Sequence, residues 1–548
     1  MKNLYILLLL SIPFLFFQCK NYNYISKQEK VIPIKNLSEK KLKIWYHKDI
    51  IDDSIPGISL DKAYNTILKD KKGKDIIVAV IDTSIDINHE DLNSSFWTNI
   101  NEVPNNNIDD DENGYTDDLQ GWNFIGNKNG ENTLFVNYEI TRVLKKYNSS
   151  FLNNEIKDSL LYSTYISAKK RYAERLLSAK DDSINIKNVA KWKEESKVFL
   201  SSYFKDGNYT IKQLDSLKQA HNNDSILQFN ALRMSNFIKY APDEKIKSST
   251  IQANERLAKL LNTSYNDRII INDNSEDLND TNYGNNTVNQ DLDFLEHGTL
   301  MAGLIAAKRN NKTGINGFSN YIKIMALSIS SSGDEHDKDI ALAIRYAVDN
   351  GAKVINMSIG KEFSLHKEWV FEALKYAEEK DVLVVSGAGN SSYNLNVFNN
   401  YYPNDNINNG KEVSDNFIKV GASTYYPNEN LFATFSNYGK IDIDVFAPGT
   451  KIYTTTPSVE SYKFVSGGTS ASCALTTGVA ALIRSYYPNL TASEIKHIIM
   501  DSGVEYTFPV KLTRNDSIKT PFNKLSKSGK IVNAYNALIM ADSISNTK

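Results

Sequence analysis

The sequence predicts an α/β protein: a three-layer fold with a mostly parallel sheet, plus an α-helical insertion. Three observations lead there. From Asn285 to about Met500, short Val- and Ile-rich runs alternate with helical segments, the pattern of βαβ units whose sheet is covered on both faces. Residues 131–282 differ: they are rich in Lys, Glu, Asn, Ser and Leu, and apolar residues recur at three- and four-residue steps. The whole chain has 548 residues, 41% hydrophobic and 23% charged, enough for several domains and too apolar for wholesale disorder.

Taken in order, residues 1–19 (MKNLYILLLLSIPFLFFQC) open with Lys2 and continue as an apolar run from Leu4 to Phe17. That run is shorter than the roughly 20 residues a membrane-spanning helix needs and fits a signal peptide. Cys19 directly after it resembles a bacterial lipobox, although Gln18 stands where a small residue is usual. The resemblance implies lipidation at Cys19 and a protein exported to the cell envelope, anchored to a membrane. Residues 20–70 form a polar lead-in, and one domain is expected to occupy 71–130 and 283–540, either side of the 131–282 insertion. Examples of the insertion's spacing are SLLYSTYISAKKRYAERLLSAK (159–180) and SILQFNALRMSNFIKY (225–240). The strand candidates after it are IKIMALSI (322–329), AKVINMSI (352–359), VLVVSGA (382–388), FIKVGA (417–422) and IDVFAPG (443–449).

Composition excludes some functions. With 63 Lys+Arg against 65 Asp+Glu, the formal charge is −2, and nothing suggests nucleic-acid binding. Two cysteines, Cys19 and Cys473, exclude a disulfide framework and multi-cysteine metal sites.

An acidic loop, NNNIDDDENGYTDDLQGWNF (105–124), carries oxygen ligands at ordered spacing: Asp109, Asp111, Asn113, the Tyr115 carbonyl and Asp117, with Gly114 at the sixth position. This follows an EF-hand-type calcium loop through its ninth position, but Gln120 replaces the final bidentate Glu. Oxygen-only ligands favour a structural Ca2+ over zinc.

Three segments carry the chemistry. DIIVAVIDTSIDINHEDL (75–92) is a buried-strand pattern containing Asp82. EHGTLMAGLIAAK (296–308) opens an apolar helix at His297. SGGTSASCALTTGVAALIRSYYP (466–488) sets Ser470 after two glycines at the start of another. Each alone could be a cap or a turn. Together, in the order Asp, His, Ser, they resemble the subtilases, the subtilisin-like serine peptidase family. The resemblance spans roughly residues 70–130 and 283–540. It implies a subtilisin-like fold and an acyl-enzyme mechanism with Ser470 as nucleophile, His297 as base and acid, and Asp82 orienting the imidazole. It also implies that Asn390 of GAGN (387–390) donates to the oxyanion. Ser358, Ile359 and Gly360 would pair with substrate backbone, and Gly387, Ala388 and Gly389 would wall the S1 pocket. Such small residues lead us to expect room for a sizeable apolar or aromatic P1 side chain. The expected enzyme is a monomer acting on protein or peptide substrates without an organic cofactor. The alternatives are a dedicated maturation or transpeptidation enzyme and a catalytically silent binding protein. Ser84, Leu300, Ala471 and Ala474 depart from the usual family words. The insertion could overhang the cleft or be remote decoration.

Overall fold

The computed structural model describes residues 26–32, 36–153, 157–397, 401–407, 411–457, 461–513 and 519–548. The signal segment and Cys19 lie outside the described residues. Among these, no helix is long and apolar enough to cross a membrane.

The described strands are β1 (Lys27–Gln28), β2 (Ile76–Asp82), β3 (Gly121–Asn123), β4 (Ile322–Ser328), β5 (Val354–Met357), β6 (Leu383–Gly387), β7 (Phe417–Ser423), β8 (Val445–Pro448), β9 (Thr450–Thr455), β10 (Tyr462–Gly467), β11 (Val504–Tyr506), β12 (Pro509–Lys511), β13 (Lys519–Pro521) and β14 (Lys530–Ile531). Ten of them form one sheet in the order β1-β11-β14-β8-β7-β6-β5-β2-β4-β3. Within it only the β11–β14 pair is antiparallel. All five strand candidates of the sequence downstream of the insertion fall on strands β4 to β8.

The central strands read as continuous apolar runs because both faces are covered. In β2, Val78 and Val80 join one core with Ala474, Val479 and Leu482 of the helix Thr469–Tyr486. Ala79 and Ile81 join the opposite core with residues of the helices Asp337–Asp349 and Lys367–Glu379. Each buried Val, Leu or Ile stabilises the fold by about 1.5–3 kcal/mol relative to exposure. The chain order reverses around β2, which has β4 on one side and β5 on the other. In open α/β sheets a crevice forms at the carboxyl ends of the strands at such a point.

The lead-in is part of the domain. Trp45 and Tyr46 are buried, the indole N–H donates to the Thr450 carbonyl (3.1 Å), and the Tyr46 hydroxyl donates to the Tyr453 carbonyl (2.9 Å).

The insertion is helical. Its longest helix, Ser159–Leu200, has 42 residues and spans about 63 Å. Asp158 caps it by accepting from the Leu160 and Leu161 amides. Near the sheet, Ile140, Val143, Ala168, Ala179 and Leu261 pack around Phe363. Farther out, Leu200, Leu214, Ala231, Met234 and Phe237 form a separate small core. The inner part of this helical segment therefore packs on the residues that follow β5.

Buried charges reinforce that junction. Arg142 pairs with Glu139 and Asp267 and donates to the carbonyls of Asn137, Asp334 and Glu335. Lys361, fully buried, meets Asp337 at 2.9 Å and Glu139 at 3.4 Å. Removing one member of such a network leaves the others charged and unpaired in a dry interior, at about 3–5 kcal/mol. Arg142→Met is accordingly expected to lower the stability of the folded chain by about that amount. Denaturant unfolding of wild type and variant checks it, and a loss below about 1 kcal/mol would show that the network is not desolvated as described.

Candidate active site

Asp82 is the last residue of β2 and is 1% exposed. Its Oδ1 accepts from the Thr83 amide (2.7 Å) and lies 2.7 Å from His297 Nδ1. This contact fixes the imidazole with Nδ1 protonated and Nε2 as the free, basic nitrogen. Burial of the ring works to lower its pKa. The Asp82 carboxylate, by charge and hydrogen bond, outweighs that with help from Glu335 and Glu296, so the net shift is upward.

The words around His297 have local reasons. His297 opens the helix His297–Ala306. A Cβ on Gly298 would stand 2.5 Å from the Thr83 carbonyl oxygen, so only glycine lets the helix start this close to β2. The Thr299 hydroxyl accepts from the Asp86 amide (2.9 Å), and the Thr83 hydroxyl accepts from the Gly298 amide (2.8 Å). His89 is no rival base. Its Nδ1 accepts from the Asp91 amide and its Nε2 lies 2.9 Å from the Ser461 carbonyl oxygen, so both nitrogens are occupied by backbone.

Ser470 is the second residue of the helix Thr469–Tyr486, most of which is buried between the sheet and the helices His297–Ala306 and Ala492–Ser502. The turn before it needs glycine: Gly467 has φ +100°, and a Cβ there would meet the Gly449 carbonyl oxygen at 2.0 Å. The Ser470 hydroxyl donates to the Ser358 carbonyl (3.3 Å), and the Ser358 hydroxyl donates back to the Ser470 carbonyl (3.1 Å). The serine hydroxyl is thus turned toward the end of β5, and no hydrogen bond joins it to the His297 imidazole.

Asn390 follows β6 and is exposed. Its Oδ1 accepts from the Thr469 amide (2.9 Å) and the Thr469 hydroxyl (3.2 Å). That bond turns the Nδ2 donor the other way, where it has no protein acceptor among the described residues. Thr469 was not singled out by sequence, yet its hydroxyl also accepts from the Gly389 amide (2.9 Å), tying the loop after β6 to the serine turn. The segment 435–439 supports the same loop: Asn437 donates to the Ala388 carbonyl through Nδ2 and to the Gly389 carbonyl through its amide.

Ser358, Ile359 and Gly360 leave β5 beside Gly387, Ala388 and Gly389, which end and follow β6. The main-chain groups of Ile359 and Gly360 make no backbone hydrogen bond among the described residues. The space between the two segments is not open, however. The ring of Tyr401 lies against both Gly360 and Gly389. Cys473 is buried against Asn356 and the Val385 carbonyl, and burial pushes its thiol up to about 12, so it stays protonated and inert.

The acidic loop also folds into a compact unit. Carboxylate oxygens of Glu102, Asp109 and Asp111 lie within 4.8 Å of one another. Glu102, outside the spaced motif, accepts from the amides of Asp110 and Asp117. Asp109 accepts from Asn113 and Gly114, and the Asn113 side chain accepts from Tyr115. Asp117 points to the other limb, accepting from Asn106 and Asn107. Burial pushes neighbouring Asp118 up to about 6, against hydrogen bonds from Tyr346, Asn99 and Asn113, with Asp111 adding to the rise. Three clustered carboxylates with oxygen-only surroundings fit a hard divalent cation.

The family model for the subtilase family matches residues 73–523, most of the chain. The chain belongs to the subtilase family. Among curated subtilases, it is 37% identical over 195 residues to the thermophilic serine proteinase of Bacillus sp. strain AK1, covering 35% of this chain and 44% of that protein. Thermitase of Thermoactinomyces vulgaris is 35% identical over 208 residues, 38% of this chain and 67% of thermitase. Subtilisin DY of Bacillus licheniformis is 35% identical over 206 residues, 37% of this chain and 68% of that protein. The chain thus spans less than half the length of the first of these subtilases and about two thirds of the other two.

The upward shift at His297 sets a pH dependence. The imidazole must be neutral to accept a proton, and its folded pKa lies above the ordinary value of about 6.5. Reactivity of Ser470 toward a fluorophosphonate is expected to rise through an inflection above that value. Asp82→Asn should move the inflection down and slow the reaction, and an unmoved inflection would refute the role of the carboxylate.

Proposed function

We propose that this subtilase is a serine endopeptidase that hydrolyses peptide bonds through an acyl-enzyme on Ser470. The observation that carries the proposal is the 2.7 Å contact between buried Asp82 and His297 Nδ1, in a chain whose Ser470 stands in the first turn of a helix. Rotation of the Ser470 hydroxyl away from the Ser358 carbonyl brings it to His297 Nε2. As Oγ attacks the scissile carbonyl carbon, its proton passes to Nε2. The carbonyl oxygen, now negative, is met by Asn390 Nδ2 and the Ser470 amide at the positive end of the helix. His297 then gives the proton to the leaving amine. Water then attacks the acyl carbon, losing a proton to Nε2, and the acyl–Oγ bond breaks as His297 returns that proton to Ser470 Oγ, releasing the acid. Asp82 stabilises the imidazolium in both halves without taking the proton.

The free main-chain groups of Ile359 and Gly360 support binding of an extended substrate as an added strand, which gives affinity without dictating sequence. Ca2+ held by Asp109 and Asp111 with Glu102, and completed by Asn113 and the Tyr115 carbonyl, would neutralise the acidic loop; its role is structural. The N-terminal segment supports export and lipid anchoring through Cys19, with the folded part acting as a monomer. A second reading, an enzyme dedicated to one partner, is favoured by the insertion's packing on residues 361–365 beside the substrate strand.

Ser470→Ala should remove peptide hydrolysis while leaving the fold intact. Asn390→Ala should lower kcat by about 10²–10³ with little change in KM. Hydrolysis of a mixed peptide library by each purified variant checks both, and full activity in Ser470→Ala would end the proposal. Removal of Ca2+ by a chelator is expected to lower the melting temperature of wild type, but not of an Asp109→Ala/Asp111→Ala variant. Equal loss in both would assign the ion elsewhere.

A further inference from the structure

Two glycines in the cleft have no room for a side chain, for the same reason. A Cβ on Gly360 would stand 2.6 Å from Tyr401 Cε1, and a Cβ on Gly389 would stand 2.2 Å from Tyr401 Cζ. These glycines lie on adjacent segments that leave β5 and β6 at their carboxyl ends, one on either side of the Ser470 turn. Ser358 exchanges hydrogen bonds with Ser470, and Gly389 is tied to Thr469. The slot between them is where a substrate side chain just before the scissile bond would enter. The Tyr401 ring fills its depth and is itself 8% exposed.

The ring is held, not parked. Lys419 of β7, 1% exposed, donates to the carbonyls of Tyr401 (2.6 Å) and Pro403 (2.7 Å) and lies 5.4 Å from the Tyr401 ring centroid. The charges of Asp442, Asp405 and Asp444 act on that ammonium. Tyr402 pairs with Lys361 through both main-chain groups, and Lys361 is locked to Asp337 and Glu139. These bonds fix the backbone around the tyrosine, and the Lys419 ammonium and the hydrophobic core bear on the ring itself. The ring packs with Ala388, Leu395 and Phe432, so the plug is continuous with a hydrophobic core.

We infer that Tyr401 closes the S1 slot of this enzyme and restricts cleavage to substrates with a small P1 side chain: Gly, Ala or Ser. The inference rests on the serine peptidase reading above and adds the substrate class. Tyr401 is a specificity residue; it touches no reacting atom.

The test uses chromogenic tetrapeptides that differ only at P1, Ala against Phe, with the full mature chain, Tyr401→Ala and the milder Tyr401→Val. Active sites are titrated in each by Ser470-dependent fluorophosphonate labelling. Wild type should favour P1 Ala over Phe by about tenfold or more in kcat/KM, and Tyr401→Ala should narrow or invert that ratio by about tenfold or more, chiefly by gaining activity on Phe. Tyr401→Val should shift the ratio in the same direction by less. Wild type cleaving after Phe as well as after Ala would overturn the inference, and that measurement needs no variant to fold. So would a labelled Tyr401→Ala or Tyr401→Val with an unchanged ratio. Absence of Ser470-dependent labelling in wild type would instead overturn the peptidase reading, and the plug with it.

Discussion

The burial of one helix start governs the whole cleft. Helix Thr469–Tyr486 runs beneath the sheet with Ala474, Val479 and Leu482 in the main core, so its first turn must emerge where β5 and β6 end. Thr469 then anchors the Asn390 loop, and Ser470 exchanges bonds with Ser358. Asp82 arrives independently at the end of β2, paired in register with β5. The geometry of the candidate site is a by-product of packing order: strands that share a direction deliver their carboxyl ends to one edge, and a buried helix supplies the positive end of its dipole there.

Much of this was legible in the chain. Val-Ala-Val-Ile before Asp82 and the runs at 322–329 and 382–388 could only be strands buried on both faces. The glycines of the His and Ser segments carry physical meaning, since Gly298 and Gly467 sit where a Cβ would strike a carbonyl oxygen. The insertion's three- and four-residue periodicity correctly announced helices.

What remained illegible depends on long-range approach. Tyr401 follows an Asn-rich stretch of sequence, and no local pattern reveals that a tyrosine between Asn400 and Tyr402 meets glycines 360 and 389. Glu102 stands outside the spaced acidic motif and joins it only because the loop folds back. The ion network of Glu139, Arg142, Asp267, Asp337 and Lys361 draws on both sides of the insertion's boundaries. Charged residues in a polar, Asn-rich chain read as solvated until the fold closes around them.

That network has a consequence for how the chain can be trimmed or grafted. A cut at the apparent boundaries, 131 and 282, would strip partners from Lys361 and Asp339, since Glu139 pairs with Lys361 and Arg268 with Asp339. The separable module lies farther out, in the self-contained core of Leu200, Leu214, Ala231, Met234 and Phe237. Shortening the long helix there, and rejoining it above the layer of Ala179 and Leu261, respects the electrostatic seam. The unit of modularity in this protein is half the size of the segment that sequence marks off.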